Sequence, residues 1–231
     1  GTVCMVHADL GRADWHNTPE YVENLAKRKG TELHVVRYNH GDLIDRIWAR
    51  WESRNRAGCP WPSAKARYCT SEMKVAPISR WLRNTFLSGQ VICAMGLRAQ
   101  ESKARSIKDA FSPRKDSTAT TKGRFVWNWL PIHEWNEAQV WESIRQHGDV
   151  FHCAYSAGNQ RLSCALCVLG SLNDLLNGAI HNPDTYRELC RIEAVTGYSF
   201  RQNLWLSDLK PTLLPAETLS AVRQHQERKH S

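Results

Sequence analysis

The sequence has 231 residues, of which 42% are hydrophobic and 23% charged, so wholesale disorder is excluded. No apolar run approaches the roughly 18 residues that a membrane-spanning helix needs, so we expect no membrane-embedded segment. Thirty-one Lys and Arg against 23 Asp and Glu give a net charge of +8, which suits an anionic partner such as a nucleotide or nucleic acid.

Short apolar runs alternate with amphipathic stretches over the first hundred residues. Pro19 stands at the start of the first amphipathic stretch, a position that Pro favours in helices. This alternation is typical of βαβ units and predicts an α/β fold with a doubly wound, mostly parallel sheet. The patterns predict strands at 3–8, 33–38, 90–95 and 125–130, and helices at 18–30, 42–53, 72–87, 136–147, 171–180, 183–196 and 215–229.

The predicted elements divide the chain into an α/β part over residues 1–150 and a helical, cysteine-bearing part over residues 151–231. We expect mobile loops at 54–70 and 112–124, because both are rich in Arg and Lys and lack an apolar period. Ligands of doubly wound sheets bind beyond the carboxyl ends of the strands, which makes Asp9 a candidate nucleotide contact.

A charged segment follows the strand predicted at 90–95. Arg98, Glu101, Ser102 and Arg105 are spaced at i, i+3, i+4 and i+7, so a helix would place them on one face. Two guanidinium groups and a hydroxyl there would make a phosphate or sulfate clamp. The alternative is a solvated charged helix face with an internal pair between Glu101 and Arg105.

Eight cysteines are too few for a disulfide scaffold, and no secretory signal is readable, so we expect free or metal-bound thiols in the cytoplasm. Cys164 and Cys167 form a CxxC pair, which can chelate a metal, act as a redox pair or pack as small hydrophobic residues. A metal site needs two more ligands, and the candidates are Cys69, Cys153 and Cys59.

Lys74 lies five residues after Cys69, where it could hold an anion or lower the pKa of a thiol. An exposed helical lysine is the alternative interpretation. The spacing of the cysteines alone favours zinc. No residue pattern of a known catalytic triad is present in the sequence, so no catalytic residue is assigned.

The motifs together resemble the phosphoadenosine phosphosulfate (PAPS) reductase family. The resemblance implies an adenine-nucleotide α-hydrolase-like fold, with a nucleotide at the carboxyl edge of the sheet and Arg98–Arg105 at its anionic end. The residues that carry the resemblance are Val6-His7-Ala8-Asp9-Leu10-Gly11, Cys69 with Lys74-Val75-Ala76-Pro77, Gly96-Leu97-Arg98 with Glu101-Ser102 and Arg105, Leu130-Pro131-Ile132-His133-Glu134-Trp135 with Val140-Trp141, and Arg161-Leu162-Ser163-Cys164-Ala165-Leu166-Cys167.

The same resemblance implies a [4Fe-4S] cluster. Adenosine phosphosulfate reductases hold one between a Cys-Cys pair and a distant CxxC. Cys69 matches one member of the pair, Thr70 replaces the other, and Cys164 and Cys167 match the CxxC. Cys153 is the candidate fourth ligand nearest in sequence, with Cys59 as the alternative.

Two departures from the family pattern direct the functional prediction. The phosphate-binding Ser-Gly-Gly-x-Asp-Ser loop and the Cys-containing tail of the classical reductases do not occur in the 231 residues. The chain therefore looks more like phage and bacterial PAPS-reductase-like proteins and the ATP-pyrophosphatase subunits of DNA phosphorothioation systems. Because that loop cradles the phosphates, we expect little pyrophosphatase activity from these residues alone.

The resulting prediction is an ATP pyrophosphatase or sulfurtransferase of nucleic-acid sulfur modification. Its expected partners are an adenine nucleotide, nucleic acid, and proteins that donate sulfur or belong to a modification complex. The alternatives are a sulfonucleotide reductase and a non-catalytic nucleotide- or nucleic-acid-binding module.

Overall fold

The computed structural model describes residues 1–230, with the side chains of residues 1–228. It divides into two compact units, which we describe separately: Gly1–Pro77 together with the chain from His152 onward, and Ile78–Phe151. The strands are β1 (Cys4–Asp9), β2 (Glu32–Arg37), β3 (Gly89–Ala94), β4 (Phe111–Pro113) and β5 (Arg124–Trp129). The helices are α1 (Thr18–Arg28), α2 (Leu43–Glu52), α3 (Tyr68–Thr70), α4 (Ala76–Thr85), α5 (Lys103–Ser106), α6 (Glu137–Gln146), α7 (Cys153–Ser156), α8 (Leu172–His181), α9 (Pro183–Thr196) and α10 (Ala216–His230).

The first unit contains a parallel pair of strands, β1 and β2, which runs in register from Cys4 opposite Glu32 to Asp9 opposite Arg37. Helix α2 follows and begins with a capping box, in which the Asp42 carboxylate accepts the backbone N–H of Asp45 and the Asp45 carboxylate accepts that of Asp42. These reciprocal bonds satisfy donors that the first helical turn leaves free.

Gly11 lies between β1 and α1 with a positive φ of 63°, and a side chain there would overlap Asp42 at the start of α2. A glycine is therefore required where β1 leaves the sheet.

The core of the first unit joins chain segments that lie far apart in sequence. The amide of Ala165 donates to the carbonyl of Ala13 at 3.0 Å, and the indole of Trp48 on α2 donates to Glu188 on α9 at 3.2 Å. The C-terminal segment thus packs with the first 77 residues, whereas the sequence predicted a division at 150. The fully buried core side chains include Leu10, Ile44, Met73, Leu175, Tyr186, Ile192 and Leu206.

A buried carboxylate ties the end of α9 to the chain that follows it. Glu193 has no exposed surface and accepts backbone N–H groups from Phe200, Leu206 and Ser207 at 2.8, 2.8 and 3.1 Å. Burial raises the pKa of Glu193 to about 7, although these three donors act in the opposite direction.

The second unit contains a three-stranded sheet in which β3 pairs parallel with β5 and β4 pairs antiparallel with β5. The fold is therefore α/β with mixed sheets: the parallel pairing predicted from the sequence occurs in each unit, and β4 is an addition to it.

The basic segment 112–124 is ordered, contrary to the mobile loop predicted from its composition. Part of it belongs to β4, and the Arg114 side chain donates to Asp116 at 3.0 Å. The buried side chain of Arg124 donates to the carbonyls of Arg83 and Phe86 at the end of α4. These bonds satisfy carbonyls that a helix C-terminus leaves free, so the charges in this segment serve the fold.

The helix predicted at 72–87 is also modified. A π-helical turn over Ser71–Val75 precedes α4, whose bounds are Ala76–Thr85. In the part of the chain that the structure describes, no helix is both long and apolar enough to cross a membrane.

Candidate functional site

Three predicted metal ligands meet at one cavity of the first unit, which we call the cysteine cavity. Cys69, from α3, and Cys164 and Cys167, from the loop before α8, line a space of about 40 Å³. The remaining walls are largely apolar, and they consist of Ala13, Leu43, Ile44, Ile47, Pro62, Leu166, Val168, Thr185, Leu189 and Phe200. Soft thiol ligands in an apolar enclosure are typical of zinc and iron–sulfur sites.

The CxxC loop is held in place by backbone contacts on both sides. On one side, Ala165 donates to Ala13, as described above. On the other side, α8 passes so close that a Cβ atom at Gly178 would overlap the carbonyl oxygen of Ala165. The absence of a side chain at Gly178 therefore allows the helix to support this loop.

The segment that carries Cys69 is anchored through its neighbour. Tyr68 is buried, and its hydroxyl donates to the carbonyl of Pro60 at 2.6 Å. This bond joins α3 to the 58–62 loop, whose Pro62 lines the cysteine cavity.

The electrostatic surroundings of the cavity favour neutral thiols. Burial raises the pKa of Cys164 to about 12, and burial also raises the pKa of Cys69. The positive charge of Lys74 acts against both increases in pKa, whereas the Asp14 carboxylate adds to that of Cys164. A metal that binds these sulfurs must therefore displace protons from them.

The sulfur atoms of Cys69, Cys164 and Cys167 do not all lie within 4.8 Å of one another. Among the described residues, the set of three ligand atoms that lie within 4.8 Å of one another is His7, Asp9 and Asp14, not the thiols. In a tetrahedral zinc site with Zn–S bonds of about 2.3 Å, neighbouring sulfurs are about 3.8 Å apart.

Cys153, the other predicted ligand, is not among the residues that line the cavity. It is exposed at the start of α7, where its sulfur accepts the side-chain amide of Asn17 at 2.6 Å. Cys59 is also exposed and is likewise not among the lining residues. It adjoins Pro60, whose carbonyl accepts the Tyr68 hydroxyl, and the charges of Cys59 and Cys69 both act on the pKa of Tyr68.

Asp9 lies at the carboxyl end of β1, as predicted, and its charge is balanced. One carboxylate oxygen accepts the amide of Gly11 at 2.7 Å, and the other accepts the Arg37 guanidinium at 2.6 and 2.7 Å. His7 and Asp14, which sequence reasoning missed, lie beside it. Burial raises the pKa of Asp14, while the Leu10 amide and the charges of Lys74 and His7 lower it. Asp14, five positions after Asp9, was the sequence feature that could have indicated this cluster.

The charged segment 98–105 of the second unit, which we call the arginine arm, is not the continuous helix that the spacing predicted. Residues Ala99–Glu101 form a 3₁₀ turn, and Ser102 then adopts an extended conformation with φ −174°. The Ser102 hydroxyl caps α5 by accepting the amide of Arg105 at 3.3 Å. The predicted single face is therefore interrupted at its hydroxyl.

The charges of the arginine arm are partly satisfied within it. Glu101 accepts the Arg105 guanidinium and, at 3.0 Å, the backbone N–H of Arg98. The Arg98 guanidinium donates to Gln100 at 3.1 Å. Lys74 belongs to the other unit, so the arginine arm and Lys74 are described separately.

His133 supports the arginine arm, a role that the sequence did not indicate. Its ring nitrogens lie 2.7 Å from a Glu134 carboxylate oxygen and 3.0 Å from the carbonyl oxygen of Arg105, and its own carbonyl accepts the amide of Ala99 at 2.8 Å. The contacts with the Arg105 carbonyl and with Glu134 raise the pKa of His133. The histidine thus holds both ends of the arm.

A family model for the phosphoadenosine phosphosulfate reductase domain matches residues 3–169. An uncharacterized 37.8 kDa protein in the gpa 5′ region of Escherichia phage 186 is 27% identical over 155 residues, which cover 66% of this chain and 42% of that protein. An adenosine 5′-phosphosulfate reductase of Allochromatium vinosum is 29% identical over 161 residues, which cover 69% of this chain and 56% of the reductase.

The chain thus spans about half the length of the curated relatives it matches. Among solved structures, a PAPS reductase from Candida auris in a phosphate complex aligns with a TM-score of 0.44 and 16% identity. That alignment covers 71% of this chain and 70% of the reductase chain.

Proposed function

Because this chain belongs to the phosphoadenosine phosphosulfate reductase domain family, we propose that it uses an adenine nucleotide in a sulfur-transfer reaction and acts as an ATP pyrophosphatase or sulfurtransferase in nucleic-acid sulfur modification. The observation that carries the proposal is the meeting of Cys69, Cys164 and Cys167 at one cavity. Cys69 is separated from Cys164 and Cys167 by almost a hundred positions in sequence, so the tertiary fold brings them together.

The cysteine cavity fits a thiolate-bound metal centre. Cys69, Cys164 and Cys167 would hold a [4Fe-4S] cluster, and Cys59 is the proposed fourth ligand because its loop is tied to Cys69 through Tyr68. At least one pair of these sulfurs is more than 4.8 Å apart, which supports a cluster over the alternative, a single zinc ion. Such a cluster supplies electron transfer or electrostatic polarisation when bound.

The residues around the cavity would serve the nucleotide and the thiols. Lys74 places a positive charge where it favours the thiolate forms of Cys69 and Cys164. Asp9, at the carboxyl end of β1, would adjoin the nucleotide, since ligands of such sheets bind at that edge. In the second unit, the guanidinium groups of Arg98 and Arg105, with Ser102 and Glu101 fixing the turn between them, would bind an anion such as a phosphate group.

In the proposed reaction an oxygen of the acceptor attacks the α-phosphorus of ATP, and pyrophosphate leaves. The outer sulfur of a donor persulfide then attacks the activated acceptor, and AMP leaves with the oxygen. A second thiol of the donor attacks the resulting disulfide, which releases the thiolated acceptor and leaves the donor oxidised as a disulfide. The fixed donors of the arginine arm suit the first step, because preorganised guanidinium groups stabilise charge on phosphate oxygens.

The test begins with anaerobic purification and measurement of iron and acid-labile sulfide per chain. ATP is then incubated with the protein, a persulfide donor and oligonucleotide, and AMP and pyrophosphate are quantified. We expect Cys167→Ser to lose iron and Arg98→Ala to retain iron but bind ATP more weakly. Iron-free wild-type protein after anaerobic reconstitution, together with no measurable ATP binding, would refute the proposal.

The second candidate function is sulfonucleotide reduction, which the similarity to an adenosine 5′-phosphosulfate reductase favours. The two functions differ in product: reduction releases sulfite from the sulfonucleotide at the expense of a thiol reductant, and it leaves ATP intact. Incubation with adenosine phosphosulfate or PAPS and thioredoxin, followed by sulfite measurement, separates them. A non-catalytic nucleotide-binding module would bind ATP and yield neither product.

A further inference from the structure

The first unit also carries a group of cationic and aromatic side chains that we have not assigned to nucleotide or metal binding. It extends along α2 into the following turn and the 63–67 loop, where arginine alternates with tryptophan in the sequence. We call this group the arginine–tryptophan surface, and it consists of Trp48, Arg50, Trp51, Arg54, Arg56, Lys65 and Arg67.

Aromatic rings orient the guanidinium groups of this surface. The Arg50 guanidinium carbon lies 4.9 Å from the centre of the Tyr68 ring, and that of Arg56 lies 5.8 Å from the Trp51 ring. Trp48 and Trp51 meet edge to face at 5.9 Å. Stacking of this kind fixes the plane of a guanidinium and leaves its N–H edge available to a planar or tetrahedral oxyanion.

The backbone also fixes this arrangement. Asn55 and Arg56 have positive φ values of 53° and 59°, a conformation that residues other than glycine seldom adopt. The turn therefore holds Arg56 against Trp51 at a conformational cost.

The cations of the surface are not neutralised. Within the described chain, Arg50, Arg54, Arg56, Lys65 and Arg67 form no ion pair with a carboxylate, and Glu52 is the one acidic residue between positions 46 and 71. The Nε atom of Arg50 is shielded from solvent and has no hydrogen-bond partner.

A neighbouring arginine shows the contrast. Arg46 also lies over Tyr68, at 5.1 Å, but it is paired with Glu72 at 2.7 Å. The uncompensated charge thus begins one turn further along α2.

We propose that the arginine–tryptophan surface binds single-stranded nucleic acid. Its stacked guanidinium groups match phosphate oxygens, which accept paired N–H donors. The half-buried rings of Trp48 and Trp51 each have an arginine over one face, and their remaining surface can contact unpaired bases. An acidic peptide would supply the charge but no bases to stack. This inference rests on the proposed function in one respect: the bound nucleic acid is taken to be the acceptor of the sulfur.

The surface also adjoins the cysteine cavity. Ile47, between Arg46 and Trp48 on α2, lines that cavity, and Tyr68 precedes Cys69. A strand held on this surface would therefore pass close to the thiols, as an acceptor of sulfur must.

The test measures binding of a fluorescent oligothymidine of about 20 nucleotides by anisotropy, without ATP and with metal-free protein. The variant Arg50→Gln/Arg54→Gln/Arg56→Gln removes three charges from the surface. Lys27→Gln/Arg28→Gln/Lys29→Gln, at the exposed end of α1, removes three charges elsewhere and is the matched control. Circular dichroism verifies that both variants are folded.

We expect the surface variant to bind at least about tenfold more weakly and the slope of log K against log salt to fall by about 2, while the control changes less than about twofold. The conservative variant Arg50→Lys/Arg54→Lys/Arg56→Lys keeps the charge and should show an intermediate loss, since lysine cannot reproduce the oriented donors.

Equal losses in the surface variant and the control would overturn the proposal, because they would indicate unspecific attraction. Displacement of the oligonucleotide by polyglutamate at equal charge concentration would overturn it in favour of an acidic protein partner. Specific DNA binding by a protein that neither cleaves ATP nor holds iron would refute the proposed function and leave this inference standing.

Discussion

The cysteine cavity and the arginine arm are built in opposite ways. The cavity draws its thiols from two segments far apart in sequence and holds them with contacts from α2, α8 and α9. The arginine arm is eight consecutive residues whose polar groups bind one another and are supported by His133. The first depends on the whole unit, and the second is mainly local.

This difference bears on how each could function. A metal would bind the folded cavity and not the unfolded chain, so its binding would raise the free energy of unfolding of the first unit. An anion at the arginine arm must instead compete with Glu101 for Arg105. The cavity should therefore be sensitive to distant packing changes, and the arm to changes of single charges.

The largest expected effect comes from Gly178→Ala, which should damage the cavity and spare the arm. Alanine favours helices by up to about 1 kcal/mol over glycine, but its methyl group would overlap the Ala165 carbonyl. Such overpacking costs about 3 kcal/mol, and we expect loss of bound metal as well.

Urea unfolding and metal analysis check the Gly178 prediction. Ile180→Ala, an exposed position on the same helix, is the control and should retain the metal. Wild-type metal content in Gly178→Ala would show that the CxxC loop does not depend on α8.

Glu193 provides a pH-dependent test of the packing behind the cavity, since it holds the amide of the cavity residue Phe200. Its pKa is raised to about 7 in the folded chain from 4.5, so the stabilisation is complete below about 4.5 and is lost as the pH rises through 7. Between these limits the free energy of unfolding of the wild type should fall by about 3 kcal/mol more than that of Glu193→Gln.

Urea titrations at several pH values measure the Glu193 effect. Glu217→Gln, exposed on α10, should follow the wild-type curve. Parallel curves for wild type and Glu193→Gln would mean that Glu193 does not titrate in this range.

Arg98→Ala tests the arm alone. Loss of one charge-assisted contact should weaken ATP binding by about 2 kcal/mol, roughly 30-fold, with the stability of the first unit unchanged. Calorimetry measures the affinity, and Arg145→Ala, an exposed arginine of α6 paired with Glu142, serves as the control. Unchanged affinity in Arg98→Ala would remove this residue from the phosphate site.

The smallest expected effect distinguishes the two candidates for the fourth ligand. Cys59→Ser should lower metal affinity by about tenfold or more, because the Tyr68–Pro60 bond ties its loop to Cys69. Cys153→Ser should leave the affinity unchanged, because the Cys153 sulfur is held by Asn17. Competition with an iron chelator measures both variants. A selective loss in Cys153→Ser would reverse the assignment.

The sequence predicted those features that short-range signals determine. Pro19 marks the start of α1, because a first helical turn does not need the backbone donor that proline lacks. The helix predicted at 42–53 is α2, Leu43–Glu52. The resemblance predicted that Cys69 lies near Cys164 and Cys167, because the family pattern places a cluster between those motifs.

Features that depend on tertiary partners were not readable from the sequence. The segment 112–124 is polar enough to suggest a loop, but Arg114 and Arg124 are fixed by Asp116 and by the end of α4. The interruption at Ser102 was missed because side-chain spacing does not reveal a cap. The fourth ligand stays a prediction, because neither Cys153, which its proximity in sequence favoured, nor Cys59 is among the residues that line the cavity.

The whole second unit lies between Cys69 and Cys164 in the chain. A metal that joined these two cysteines would close a loop of roughly 95 residues, and a cross-link of that length lowers the entropy of the unfolded chain by the equivalent of about 4–5 kcal/mol. The metal would also link the two segments of the first unit directly, so that an intact chain through the second unit would not be needed to join them. A protease cut within residues 78–151 would leave two fragments held together by the shared core and the metal, and a chelator would lower the urea concentration at which they separate.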